Sequence, residues 1–394
     1  MKIDIKVLAF IPACILALVL TRVVVTFNVF LFLQPVSLLV WGGSLLSWGV
    51  MSVLYVRQSE MSANGALWLL YLVTMGTSTF LGGTSLKQFL YIFIDCTLFL
   101  MLMFYYKHNL KVLLLSCNLF FSCAIYINLL LMLLFPNWMF AAEDAFDSFL
   151  LGGNYNQMGC RLLCGIVTSL LCTKLNRLWF INAVVVIVTS VVTLTIVGSM
   201  TALSGLIIFL LLCLIPSFRL QKTALVTFFI FYFFFQIFVC FNGEGLHNSE
   251  LANYIIVDLL GKDITFTNRT MMWDLGLREF MKSPLIGYGC VDNDWYVAHM
   301  TSFAIGPHNF IIGQLLNGGI VLITILIVIL GVTFRHLQNR FDRYACCLCV
   351  GLVTLLFMML MEIYPIFFVL YLLTWMSYYP QLCDTFMSKE SKES

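Results

Sequence analysis

Apolar runs of about 17 to 25 residues, each long enough to cross a ~30 Å hydrocarbon layer as a helix, recur along this chain from one end to the other. They far exceed the ~10 residues of a membrane barrel strand and do not alternate, so they read as helices. Their spacing predicts twelve spans, at 6–27, 34–56, 63–81, 88–106, 111–136, 155–173, 178–198, 200–216, 223–241, 306–333, 344–363 and 366–380. Composition agrees: 61% of the 394 residues are hydrophobic and 10% charged, against roughly 25% charged in a soluble domain. The fold class is all-α, a polytopic membrane protein. The first run is followed by Thr21-Arg22-Val23-Val24 rather than by a small-residue cleavage site, so it reads as a retained span. Gly198-Ser199 is so short a junction that the seventh and eighth spans form either a tight hairpin or one broken helix.

With the N-terminus inside, 14 of the 21 basic residues fall on the inner side, and the positive-inside rule then puts both termini in the cytoplasm. Acidic residues gather instead in the loops after spans five and nine. Four regions follow: N-terminal helices over 1–150, core helices over 151–241, a large extracytoplasmic loop over 242–305, and C-terminal helices with a short cytoplasmic tail over 306–394. Of the 14 cysteines, only Cys240 and Cys290 fall at or in the large outer loop, where a disulfide could join them. Cys346-Cys347-x-Cys349 lacks the paired spacing of a metal site. No metal, cofactor or nucleic acid is expected.

Chemistry concentrates between Thr267 and Ile320. Asn268 or Thr267 can cap a helix running to Lys282, which Ser283-Pro284 ends. Arg269, Trp273 and Phe280 share one face of it, and Asp274 and Arg278 form a four-apart pair on another. The plainer reading is an amphipathic helix lying on the outer leaflet. Gly287-Tyr288-Gly289 reads as a flexible turn. Pro307 suits the start of the tenth span, along which Asn309, Gly313 and Asn317 recur every four residues as a small, polar stripe that must face protein or water.

Arg161, about two turns into span six, costs a few kcal/mol in lipid without a partner, which makes it a functional candidate by default; its structural reading is an ion pair with Asp95 or Glu362. Arg269 and Arg278 are candidate anion binders, because the planar guanidinium matches phosphate oxygens and a pyrophosphate needs two or more such groups. For Arg278, a simple pair with Asp274 is the alternative. Trp273 is a candidate glycan contact beside Arg269. His308, at the outer mouth of span ten, is the candidate general base or proton shuttle, with helix capping as its plainer role; His299 lies in a loop and is a weaker candidate.

Arg269-x-x-x-Trp273, then Ser283-Pro284-Leu285-Ile286-Gly287-Tyr288-Gly289, then His308-Asn309 with Gly319 beyond, resembles the signature of the bacterial O-antigen ligase and polysaccharide polymerase superfamily. Asn154-Tyr155-Asn156 and Ser199-Met200-Thr201-Ala202-Leu203-Ser204-Gly205 resemble weaker blocks of that family, so the likeness covers about residues 150 to 325. It implies a fold like that of the C-type glycosyltransferases, and transfer of a glycan from undecaprenyl pyrophosphate to an acceptor outside the bacterial plasma membrane. No nucleotide sugar or metal is implied, the lipid pyrophosphate being already a good leaving group. By the same likeness Arg269 neutralises the pyrophosphate and His308 assists the acceptor hydroxyl or orients the donor. Arg161 joins the phosphate site by its place rather than by a tight motif, Arg278, Trp273, Asn154 and Asn309 are the further expected pyrophosphate or glycan contacts, and a chain-length regulator and a flippase are the implied partners.

Two departures bear on the branch. Met200 stands where many relatives carry arginine, and Leu322 stands where a ligase-type pattern has a small or hydroxyl residue, which favours a repeat-unit polymerase over a ligase. A lipid-linked oligosaccharide flippase is the rival from another class, but it calls for charges spread through many spans. A polyprenyl-phosphate-monosaccharide transferase calls for acidic residues in the first outer loop, and residues 28–33 contain none.

Overall fold

The structure, a computed structural model, describes residues 5–21, 34–57, 62–135, 150–151, 157–175, 177–243 and 268–393. Among the described residues nine helices precede the large loop: α1 (Ile5–Thr21), α2 (Gln34–Arg57), α3 (Ala63–Gly82), α4 (Leu86–Tyr105), α5 (Leu110–Leu134), α6 (Met158–Cys172), α7 (Arg177–Val197), α8 (Met200–Leu214) and α9 (Phe218–Phe235). The last of these runs on into a π-helical turn, Gln236–Cys240. The described part of the loop forms α10 (Arg269–Lys282) and α11 (Asn293–His299), and the chain closes with α12 (Phe310–Leu337), α13 (Arg343–Met358) and α14 (Ile366–Glu393). Among the described residues eight helices are long and apolar enough to cross a membrane, while α6, α8 and α13 are shorter apolar helices. The chain is therefore an all-α, multi-pass membrane protein.

Local chemistry sets the helix ends. Ser62 accepts a bond from the Gly65 N–H to begin α3, which Gly83 ends at φ 62°. Asp342 accepts from the N–H groups of Tyr344 and Ala345 to begin α13. Gly198, at φ 73°, separates α7 from α8, so that junction is two helices rather than one. Within the bundle α14 is the axis, with 83% of its span buried against 11% for the peripheral α2. Polar ties fasten its neighbours: Thr168 to Tyr371 at 2.7 Å, Ser169 to Asn118 at 2.6 Å, and, toward the far end, Lys174 to both Asp342 and Tyr379 at 2.8 Å.

The feature that positions the site is a break in α12. Gly318 (φ −155°, ψ 16°) and Gly319 (φ 62°, ψ −159°) leave the helical region, stranding backbone groups that lipid cannot satisfy. The segment after α10 supplies the partners. Tyr288 and Gly289 donate their N–H groups to the Leu316 and Asn317 carbonyls at 2.7 and 2.9 Å, and Ile320 donates to the Pro284 carbonyl at 2.9 Å. The same segment is tied to the end of α3: Thr84 Oγ1 donates to the Tyr288 carbonyl at 2.7 Å, and Cys290 N–H to Thr79 Oγ1 at 3.0 Å. Gly287-Tyr288-Gly289 is thus a locked strap and not the flexible turn its glycines suggest. A Cβ on Gly287 would strike the Leu316 carbonyl, and one on Gly289 the Thr79 backbone. Cys240 and Cys290 are both free thiols, so the disulfide considered for them is absent.

Candidate functional site

Three segments converge where α10 and α12 begin and the turn after α13 ends. Arg269, the first residue of α10, donates its Nε to the Met361 carbonyl at 2.8 Å and pairs through Nη2 with Glu362 Oε1 at 2.5 Å. Glu362 also faces His308, with Nδ1 4.0 Å from Oε2. That nitrogen is buried with no hydrogen-bond partner. His308 itself is held at φ 46°, a left-handed conformation that costs a non-glycine residue free energy and is over-represented at functional positions. Burial and the nearby Arg269 charge push the His308 imidazole down to about 4, so it is neutral at physiological pH. Burial raises the Glu362 carboxyl, with Arg269 opposing the rise.

Asn309 holds this geometry. Its amide donates to Gln236 Oε1 at 2.9 Å and to the Leu360 carbonyl at 3.2 Å, and its oxygen accepts from Gln236 Nε2 at 3.2 Å and from the Ile312 N–H at 3.1 Å. Both donors and both acceptor sites are used, and the side chain is wholly buried. Asn309 therefore positions its neighbours, with its own side-chain donors and acceptors all engaged. It fixes His308 beside it and locks the π-helical turn to the turn after α13. Asn309→Asp removes both donors and strands Gln236 Oε1 and the Leu360 carbonyl. We expect a stability loss of about 2 to 4 kcal/mol, measured by thermal unfolding in detergent.

The other sequence candidates divide. Arg161 is buried in α6, with Nη1 donating to the Gln157 carbonyl at 2.8 Å and its guanidinium 5.5 Å over the Phe368 ring. The Glu362 partner considered for it belongs to Arg269 instead. Arg161, Arg269 and Glu362 all lie within electrostatic reach of the buried Tyr364 hydroxyl. Trp273 is fully buried, its indole N–H 3.5 Å from the His308 carbonyl, so its ring is packing and offers no face to a glycan. Around it α10 seats directly on α12: a Cβ on Gly276 would lie 2.8 Å from Ile312. That corrects the picture of a helix resting on the leaflet. Arg278 is exposed and paired with Asp274 at 2.7 Å, roughly 13 Å along α10 from Arg269 at 1.5 Å per residue. His299 stacks on Trp295 of its own helix, with centroids 4.3 Å apart. Asn154 lies outside the described residues.

Beside the charged cluster is a cavity of about 350 Å³, within the size range of small-ligand sites. The stripe of Asn309, Gly313 and Asn317 faces it, as the four-residue spacing required. Gln88, Gln157, Gln314, Tyr91, Tyr296 and Tyr364 add to its polar and aromatic wall, and among the described residues no charged side chain lines it. Gln314 is fixed by the Tyr71 hydroxyl, whereas the Tyr364 hydroxyl is buried without a partner. His308 and Glu362 flank the cavity through their chain neighbours Pro307, Asn309 and Ile363, and Arg269 joins them through its pair with Glu362. Gln236, Gln314 and Tyr364 were not singled out from the sequence. Their signal is faint: lone amides in apolar runs, and a tyrosine directly before Pro365. Compared with known proteins, the chain matches no family model and no curated relative.

Proposed function

We propose that this protein is a membrane glycosyltransferase that joins undecaprenyl-pyrophosphate-linked oligosaccharide repeat units on the outer side of the bacterial plasma membrane. In this reading the bundle has twelve spans, both termini are cytoplasmic, and the product is an O-antigen or capsular polysaccharide. The observation that carries it is the juxtaposition of a wall of amides and tyrosines with Arg269, Glu362 and His308 at one end of the bundle. Amide and phenol groups bind sugar hydroxyls, while guanidinium groups meet the pyrophosphate. The acceptor hydroxyl oxygen attacks the anomeric carbon and its proton passes to neutral His308. The bond from that carbon to the pyrophosphate oxygen breaks, and undecaprenyl pyrophosphate leaves with the electron pair, its charge met by Arg269 and Arg161. Most of the acceleration then comes from holding two lipid-tethered substrates together and from preorganised positive charge.

The outer cavity shares no lining residue with the cavities at the opposite end, and α14 fills the middle of the bundle. Both observations support an enzyme over a flippase. The test is direct: purified protein in lipid nanodiscs, given undecaprenyl-pyrophosphate-linked repeat units, yields longer glycans with one undecaprenyl pyrophosphate released per linkage. Absence of both products under conditions where the protein stays folded refutes the reading. The low position of His308 also fixes the pH profile. Activity stays level from pH 7 through the ordinary histidine value of about 6.5 and falls only as pH approaches about 4. The unfolded chain binds this proton below about 6.5 while the folded one refuses it until about 4, so stability falls with pH through that same window.

A further inference from the structure

At the end of the molecule away from Arg269, two chambers run into each other. Lys107 follows the end of α4, whose first residue lies by the Tyr288 strap, and His336 lies in the last turn of α12, whose first residue follows Asn309. One chamber, of about 220 Å³, is apolar and walled by Trp48, Leu69, Leu100 and Met101. The other, of about 370 Å³, is lined by Lys107, His108, His336 and Gln381. Ser62, Asn64, Phe104 and Tyr378 border both, and among the described residues no carboxylate lines either.

We propose that the paired chambers bind one anionic phospholipid. Its phosphate sits among Lys107, His108 and His336, its ester region meets Asn64, and part of an acyl chain fills the apolar chamber. Asn64 carries the argument independently of charge. It is 2% exposed, yet both its amide nitrogen and its amide oxygen lack a partner. A buried, unmade amide is costly to keep, and it stands at the border of the two chambers, where a lipid's ester carbonyl would accept from the nitrogen. Lys107 is held at the mouth with its ammonium 4.5 Å over the Phe104 ring. A free phosphate would use the basic chamber and leave the apolar one without purpose; a neutral amphiphile would do the reverse. The joined chambers suit a molecule with both parts, at the end of the bundle where the chain's basic loops gather and attract anionic lipid.

The experiment uses delipidated full-length protein in a mild neutral detergent. Dioleoyl phosphatidylglycerol, dioleoyl phosphatidylcholine and glycerol phosphate are added separately, with retention read by native mass spectrometry and protection by thermal unfolding. Phosphatidylglycerol is retained at one per chain and raises the unfolding temperature, whereas the other two do neither. Lys107→Ala with His336→Ala lowers its affinity by about tenfold or more. Asn64→Leu leaves unfolding of the delipidated protein unchanged or improved, since an unpartnered amide is removed, while retention is lost. Equal retention of the two lipids, equal protection by glycerol phosphate, or unaltered retention by the basic variants overturns the proposal. So does a delipidated Asn64→Leu protein that unfolds more easily than the parent. None of these readouts depends on glycan transfer.

Discussion

Gly319→Ala is expected to stop folded protein from accumulating. The residue sits at φ 62°, ψ −159°, a region open essentially to glycine alone, where other residues pay about 1 to 3 kcal/mol. The added carbon would also stand against the Leu285 carbonyl and the Ile286 nitrogen, which are backbone atoms of the strap and cannot rotate aside. Relief would require separating the strap from α12 and exposing the Leu316, Asn317 and Ile320 backbone groups it satisfies. Strain and lost bonds together come to at least ~3 kcal/mol. Gly331→Ala in the same helix is the control, since nothing lies within 4 Å of its added carbon. The measurement is the monodisperse fraction on size-exclusion chromatography, with unfolding temperature for whatever material survives. Wild-type yield and stability for Gly319→Ala would mean the break is not the constraint described.

Arg269→Ala is expected to destabilise the protein by about 3 to 5 kcal/mol, because it leaves Glu362 buried and uncompensated. Loss of activity in that variant alone would prove little. Arg269→Met combined with Glu362→Met removes both charges and should recover most of the stability, while glycan transfer stays abolished. Transfer at the parent rate by the double variant would remove Arg269 from the phosphate site. For His308 the informative change is to asparagine, which tolerates the left-handed backbone at φ 46°. We expect His308→Asn to unfold near the parent temperature while turnover falls by about 10²- to 10⁴-fold, the usual contribution of a positioned base. Parent turnover would reduce His308 to a structural role.

Much of this architecture is legible in the sequence for a simple reason. Lipid requires every backbone group of a span to be satisfied internally, so run length alone locates helices, and the Asn309, Gly313, Asn317 period identifies the face turned from lipid. Tertiary pairing is not legible in that way. Glu362 stands alone between two apolar runs, and nothing local says whether Arg161 or Arg269, both far from it in sequence, will claim it. Trp273 and Asn309 lie beside functional candidates and read as ligands, and nothing local says that the one is enclosed by packing and the other fully hydrogen-bonded. The glycines of 287–289 carry the opposite lesson. Glycine reads as freedom when only local conformation is considered, whereas here its missing side chain permits another backbone to come close.

The broken α12 also bears on how the protein meets bilayers of different thickness. A continuous helix that tilts to match its membrane carries that tilt along its whole length. Here the strap is hydrogen-bonded on both sides of Gly318 and Gly319, to Leu316 and Asn317 before the break and to Ile320 and Val321 after it, so tilt of the long remainder of α12 meets that anchor before it reaches Arg269, Glu362 and His308. Turnover should then vary little between short-chain and long-chain nanodiscs.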